Sequence, residues 1–131
     1  MVTLNVKTTA RNQLINIDQQ VRSALAELGA GDGVATIFCP HTTCAVTINE
    51  NADPDVCRDW IETLNRLVPA DQAHFRHAEG NSDSHVKASL IGASEQVIVR
   101  GGRMVLGTWQ SLFLAEFDGP RTRQVHVAMT S

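Results

Sequence analysis

No run of about 18 apolar residues occurs in the chain, and no apolar stretch follows a basic start, so neither a membrane-spanning helix nor a secretory leader is expected. An excess of positive charge is missing as well. Eleven Lys and Arg stand against 14 Asp and Glu, a net charge of -3, which leaves no general attraction for nucleic acid or anionic lipid. Any phosphate this protein binds has to be caught by a local cluster. Cysteines are few: Cys39, Cys44 and Cys57 are odd in number and never spaced C-x-x-C, against a disulfide framework and against a zinc knuckle. Buried thiols in a reducing, cytoplasmic setting are expected, with Cys44 as a nucleophile beside His41 the sharper but weaker reading. Neither G-x-G-x-x-G nor a P-loop is present, which excludes the usual nucleotide-binding doubly wound fold. Repeats, linkers and low-complexity stretches are absent too.

What is present fits one domain. A chain of 131 residues buries roughly two thirds of the surface its unfolded form exposes. Val2, Leu4 and Val6 alternate with polar residues as a half-buried strand. Asp18 is placed to cap a helix with the stripe Val21, Leu25 and Leu28, closed by Gly29. Val34 to Cys39 is apolar on both faces, a central strand ended by Pro40, and Cys44 to Asn49 is a second strand. Asp53 as N-cap and Pro54 at the first position open a helix whose Val56, Trp60, Leu64 and Leu67 face a core. A further helix starts at Ser82 or Asp83, carries Val86 and Leu90 four apart, and stops at Gly92. Gln96 to Arg100, the Gly101-Gly102 turn, a long bent strand from Arg103 to Phe117 with a bulge at Gly107, and Gln124 to Ala128 complete the chain. Helices grouped between runs of strands predict a single α+β domain on a largely antiparallel sheet.

One stretch concentrates chemistry. His77 and His85 are separated by a polar turn containing Gly80, and His85 falls in the first turn of the last helix. His41 stands at a strand end with Thr42 and Thr43, where side chains face a cleft. Three imidazoles with a fourth position open is the pattern of a catalytic metal site. His74, at metal-like spacing from His77, is read as a surface residue because nothing else converges on it.

The segments His41-Thr42-Thr43, Thr47 to Val56, Gly80 to His85, Leu106 to Gln110 and Glu116 to Arg121 resemble, in that order, the YjbQ-like family, often labelled secondary thiamine-phosphate synthase. The resemblance runs from Leu4 to the end of the chain. It implies one domain over residues 1–131, a double-layered and largely antiparallel β core with around three helices, and assembly as a homotrimer. It also implies that His41, His77 and His85 hold a divalent metal ion. Two departures stand out. Cys44 occupies a place where the family usually carries serine or alanine, which weakens its reading as a nucleophile, and Glu79 replaces the usual aspartate.

The activity so implied joins a pyrimidine diphosphate to a thiazole phosphate with loss of diphosphate. On that reading Arg121, Lys87 and Arg103 supply charge, Thr42 lines the substrate side, Trp109 stacks on a ring, and Asn81 and Gln110 orient the rings. Three imidazoles, however, suit zinc or another transition metal better than the magnesium that accompanies a diphosphate. A metal-dependent hydrolase or lyase acting on a small anionic, phosphorylated substrate is therefore the alternative. There Glu50 is the general base, with Asn81 and Asp53 in the catalytic set. A trimeric metal or ligand binder without turnover is the third reading.

Overall fold

A computed structural model describes all residues 1–131. In chain order the elements are β1 (Val2–Lys7), β2 (Gln13–Asn16), α1 (Asp18–Glu27), β3 (Gly33–Phe38), β4 (Cys44–Glu50), α2 (Pro54–Leu67), α3 (Ser82–Ile91), β5 (Ser94–Arg100), β6 (Arg103–Met104), β7 (Gln110–Glu116) and β8 (Thr122–Thr130). All strand pairings are antiparallel. They form a five-stranded sheet in the order β1-β8-β3-β5-β6 and a three-stranded sheet in the order β2-β7-β4. The single α+β domain with a two-sheet antiparallel core and three helices is as expected.

Alternation along the strands decides what goes where. Cys44 and Val46 of β4, Leu112 and Leu114 of β7, Ile37 of β3, and Val125 and Val127 of β8 join Val21 and Leu25 of α1 in the core between the sheets. The opposite face of the three-stranded sheet presents Ala45, Ala115 and Phe117 to Leu64 of α2 and Ala88 of α3. Trp60 stacks on Phe117 at 6.3 Å. Each of the large buried aliphatic side chains contributes about 1.5–3 kcal/mol by leaving water. The outer face of the five-stranded sheet has no covering layer, and Phe38 and Ile98 are exposed there. No helix is long and apolar enough to cross a membrane.

Several elements differ from the sequence expectations. The stretch from Arg103 to Phe117 is not one bent strand: β6 edges the five-stranded sheet, and after a turn at Gly107 the chain enters the other sheet as β7. Strand β2 has no counterpart among those expectations. Asp53 caps α2 as expected, its carboxylate accepting from Asp55 N at 2.9 Å. Asp18 instead lies inside α1, and its carboxylate accepts from Leu112 N at 2.7 Å, tying the helix to β7. Helix α3 is capped in position by Asn81, and its stripe is inverted: Val86 and Leu90 are exposed whereas Asp83, Ser84 and Lys87 are buried. Electrostatics override periodicity here. The Asp83 carboxylate accepts from both terminal Arg11 guanidinium nitrogens, at 3.0 and 3.2 Å, and from Lys87 Nζ at 2.8 Å, and Lys87 also donates to Asn65 Oδ1 at 2.7 Å. A compensated buried charge cluster of this kind replaces the apolar contact the spacing suggested. Leu67, expected in the core, is exposed at the end of α2.

Candidate functional site

Three segments meet at one end of the β4–β7 pair. The β3–β4 turn brings Pro40, His41, Thr42 and Thr43; the approach to α3 and its first turn bring His77, Glu79, Asn81 and His85; the β7–β8 turn brings Asp118 and Arg121, with Arg123 behind. Together they line a cleft of about 450 Å³ in which no lining residue is hydrophobic.

The base of the cleft is a buried ion pair. Glu116, the last residue of β7, is fully enclosed and accepts from Arg123 Nε at 2.8 Å, from a terminal nitrogen of the same guanidinium, and from Thr8 Oγ1 at 2.8 Å. Its second oxygen also accepts from the backbone N–H groups of Phe117 and Asp118, which fixes the turn that follows. Arg123 in turn donates to Thr43 Oγ1 at 2.8 Å, and Phe117 N donates to Thr43 O at 3.2 Å. The His41 turn is thereby held from below by one guanidinium and one backbone bond. Gly119 serves the same packing: a Cβ there would fall 2.2 Å from Ala10 O, so only glycine lets the two chain segments approach.

Above that base lie the groups around the mouth of the cleft, some exposed and some buried. His77 and His85 pack edge to face with ring centroids 5.6 Å apart, and His77 Nε2 lies 3.8 Å from Glu79 Oε2. Ser84 Oγ donates to Phe117 O at 2.6 Å and pins the start of α3 to the β7–β8 turn. Asn81 Nδ2 donates to Asp118 Oδ2 at 2.8 Å, so the amide orientation is set by a carboxylate that can only accept. Its oxygen then points away, buried and without a partner. Arg121 donates through Nε to Asp118 O at 2.8 Å and through one terminal nitrogen to Asp118 Oδ2 at 3.0 Å. Its other terminal nitrogen is unspent, and the side chain is about half exposed.

His41 is engaged differently. Its Nε2 accepts from the backbone N–H of Gln124 at 2.8 Å, which places the ring proton on Nδ1. Burial, together with the nearby Arg123 charge, holds this imidazole below its ordinary value, favouring the neutral ring that makes that bond. With Nε2 so occupied, His41 lines the cleft without joining His77 and His85 in a common coordination shell. No group of three His, Cys, Asp or Glu side chains is arranged to hold a metal ion. The three-imidazole centre implied by the resemblance is not assembled by these side-chain positions.

Of the residues expected at the site, His41, Thr42, His77, Asn81, His85 and Arg121 converge. Others do not. Lys87 is 1% exposed, lies outside the cleft lining and spends two of its three N–H donors on Asp83 and Asn65, so it does not reach a substrate phosphate there. Glu50 pairs with Gln110 at the far end of the β4–β7 ladder, whose near end pairs Cys44 with Glu116. At about 3.3 Å per residue, a seven-residue strand puts roughly 20 Å between them. Glu50 is therefore no base for this cleft, and Asp53 is spent as the α2 cap. Trp109 is 64% exposed beside that far end, neither in the cleft nor in the core. Gln110 accepts from Gly107 N at 2.8 Å and lines a separate cavity of about 610 Å³ with Arg22 and Arg103. Thr43 lines the cleft as its place at a strand end beside His41 suggests, whereas sequence reasoning missed Glu116 and Arg123 as the supports of the site. The only signal was the Arg121-x-Arg123 spacing after a turn, which puts two guanidiniums on one side of the chain.

A family model described as "UPF0047 protein YjbQ-like" matches residues 2–131. The chain is 49% identical over 127 residues to UPF0047 protein YugU of Bacillus subtilis, covering 97% of this chain and 96% of that one. It is also 49% identical over 122 residues to a UPF0047 protein of Methanocaldococcus jannaschii, covering 93% and 88%. Among solved structures, an uncharacterized conserved protein of the YjbQ/UPF0047 family from Clostridium acetobutylicum superimposes with a TM-score of 0.96 at 47% identity, covering 99% of this chain and 100% of that one. None of these descriptions names an activity. Together with a cleft that lacks any apolar wall for two flat rings, and with Lys87, Trp109 and Gln110 lying elsewhere, they overturn the expectation of thiamine-phosphate synthesis. The metal-water hydrolase built on Glu50 falls with the position of that residue. Family membership, by contrast, rests on nearly the whole chain: the protein belongs to the UPF0047, YjbQ-like family.

Proposed function

We propose that the cleft binds a small phosphorylated molecule that also carries a hydroxyl or amine, and that the His77–His85 pair moves a proton on it. The observation that carries this reading is Asn81 Oδ1. A buried acceptor with no partner costs about 1–3 kcal/mol unless a ligand or water supplies a donor. The amide cannot relieve the cost by flipping, because its nitrogen would leave Asp118 and its oxygen would face a carboxylate. Asn81 lines the cleft, so a small shift of its side chain that exposes this oxygen lets a ligand hydroxyl or amine meet that demand. The unspent Arg121 nitrogen, in turn, suits an oxyanion.

The imidazoles are assigned proton transfer. His77 and His85 are neighbours, one beside the Glu79 carboxylate and one on the first turn of α3, and both face the same space. A pair of imidazoles in contact suits one ring to accept a proton while the other donates. Asp118 serves as the common anchor, aligning Asn81 and Arg121 through its carboxylate and its backbone carbonyl.

Calorimetric titration with glycerol 3-phosphate and with inorganic phosphate tests the reading, in the wild type and in Asn81→Ala and Arg121→Ala. Both variants are expected to weaken glycerol phosphate by about tenfold, the loss of one hydrogen bond to a charged or buried group. Inorganic phosphate should respond mainly to Arg121→Ala. Equal affinities in all three proteins, or no heat from any of them at millimolar ligand, would overturn it.

A further inference from the structure

Cys39 follows β3 and Cys44 opens β4, so two thiols bracket the four residues Pro40 to Thr43 that form one wall of the cleft. The stems of this turn are fixed independently of the sulfurs. Cys39 N donates to Ala93 O at 2.7 Å, and Thr43 is held by Arg123 and by Phe117 N. Within that frame the two sulfurs lie 2.8 Å apart in a thiol–thiol contact, and each residue is 1% exposed. From that contact the sulfurs need to approach by less than about 1 Å to reach the ~2.05 Å of a bonded disulfide. The third thiol cannot compete. Cys57 contacts Glu50 O at 3.7 Å, at the opposite end of β4.

We propose that Cys39 and Cys44 form a redox latch, closed by a peroxide-class oxidant into an intramolecular disulfide that encloses the His41 turn in a six-residue ring. The first sulfur attacks a peroxide oxygen; the O–O bond breaks, an S–O bond forms, and the thiol proton leaves with the departing oxygen as water. The second sulfur attacks the resulting sulfenic sulfur; the S–O bond breaks, the S–S bond forms, and the second thiol proton leaves with that oxygen as another water. Two thiols lose two electrons in all, and one peroxide becomes two waters. A dithiol reductant reverses the step by exchange. Cys39 and Cys44 lie two and three residues from His41, so the latch acts on the wall that carries His41, Thr42 and Thr43. The inference does not depend on which ligand the cleft takes.

The test uses the wild type and Cys57→Ser, each treated with hydrogen peroxide, denatured and assayed for free thiols and linked peptides. The wild type should fall from three titratable thiols to one, and Cys57→Ser from two to none. The intact mass should drop by two hydrogens, a peptide pair joined through Cys39 and Cys44 should appear, and dithiothreitol should restore the start. Closing the ring should raise the melting temperature by about 5 °C. The His41 ring resonances should shift between the two forms while those of His74 stay. Oxidation confined to Cys57, oxygen uptake by Cys39 or Cys44 without linkage, cross-linking between chains, or unmoved His41 resonances would each overturn the latch. Because the wild type and Cys57→Ser keep both thiols of the pair, the result does not hinge on a Cys44→Ser variant that fails to fold.

Discussion

At one end of the β4–β7 pair Cys44 faces Glu116, and at the other Glu50 faces Gln110. Both ends are dense in polar residues, and both look functional as sequence. At the first end three remote segments converge on shared partners: Arg123 joins Glu116 to Thr43, Asp118 joins Asn81 to Arg121, and one buried oxygen is left over. At the second end the side-chain hydrogen bonds of Asn49, Asp53 and Gln110 run to neighbours within three residues in the chain. Asn49 Oδ1 accepts from Glu50 N, Asp53 from Asp55 N, and Gln110 from Gly107 N. Local satisfaction describes turns and caps. Long-range polar bonds that leave an acceptor unpaired describe a site.

The comparison breaks most sharply at the ion pair beneath the cleft. Glu116→Ala leaves Arg123 buried and uncompensated and is expected to cost about 3–5 kcal/mol in urea unfolding. Glu50→Ala, at the far end, should stay within about 0.5 kcal/mol. Equal losses would erase the distinction between the two ends.

Lys87 separates support from binding. Lys87→Ala removes charged hydrogen bonds to Asp83 and Asn65 and should cost about 2–3 kcal/mol of stability. Its affinity for glycerol phosphate should match the wild type. A folded Lys87→Ala protein with lost affinity would return the lysine to the substrate side.

A pH dependence sharpens the same point. Burial alone would raise the Asp83 carboxyl, but the hydrogen bonds from Arg11 and Lys87 outweigh it and hold the group below its usual 3.8. The unfolded chain therefore binds the proton more readily. The stability from this cluster is complete above the unfolded value and is lost as pH falls through the lower folded one. Acid unfolding should set in below about pH 4 and be shallower in Asp83→Asn if that variant folds. An unfolding profile unchanged by that substitution would count against it. The smallest effect belongs to Trp109→Ala, expected to change stability by less than about 0.5 kcal/mol and to leave ligand binding alone, since the indole is exposed and outside the cleft.

Much of the cleft is legible in the sequence because its parts are local signals: a histidine after a strand-ending proline, another on a helix's first turn, an arginine after an Asp-Gly-Pro turn. The far-end residues are misplaced by motif reading for a reason the sequence itself contains. His41 precedes a seven-residue strand and Glu50 ends it, so strand length alone sets them far apart. Helix α3 misleads because Val86 and Leu90 have core spacing. What decides its buried face is Arg11, 72 residues earlier in the chain than Asp83, which it neutralises. Pairing across that distance leaves no periodic trace. The break between β6 and β7 is hidden for a similar reason, since a change of sheet at Gly107 looks like a bulge within one strand.

Side-chain NMR during addition of glycerol 3-phosphate tests the central claim most directly, because both ends of the β4–β7 pair carry reporters. The ring resonances of His77 and His85 and the side-chain amide of Asn81 are expected to shift together, while the Trp109 indole N–H and the Gln110 amide stay. Movement of Trp109 and Gln110 with Asn81 and the histidines unmoved would contradict the account and put the binding site at the other end.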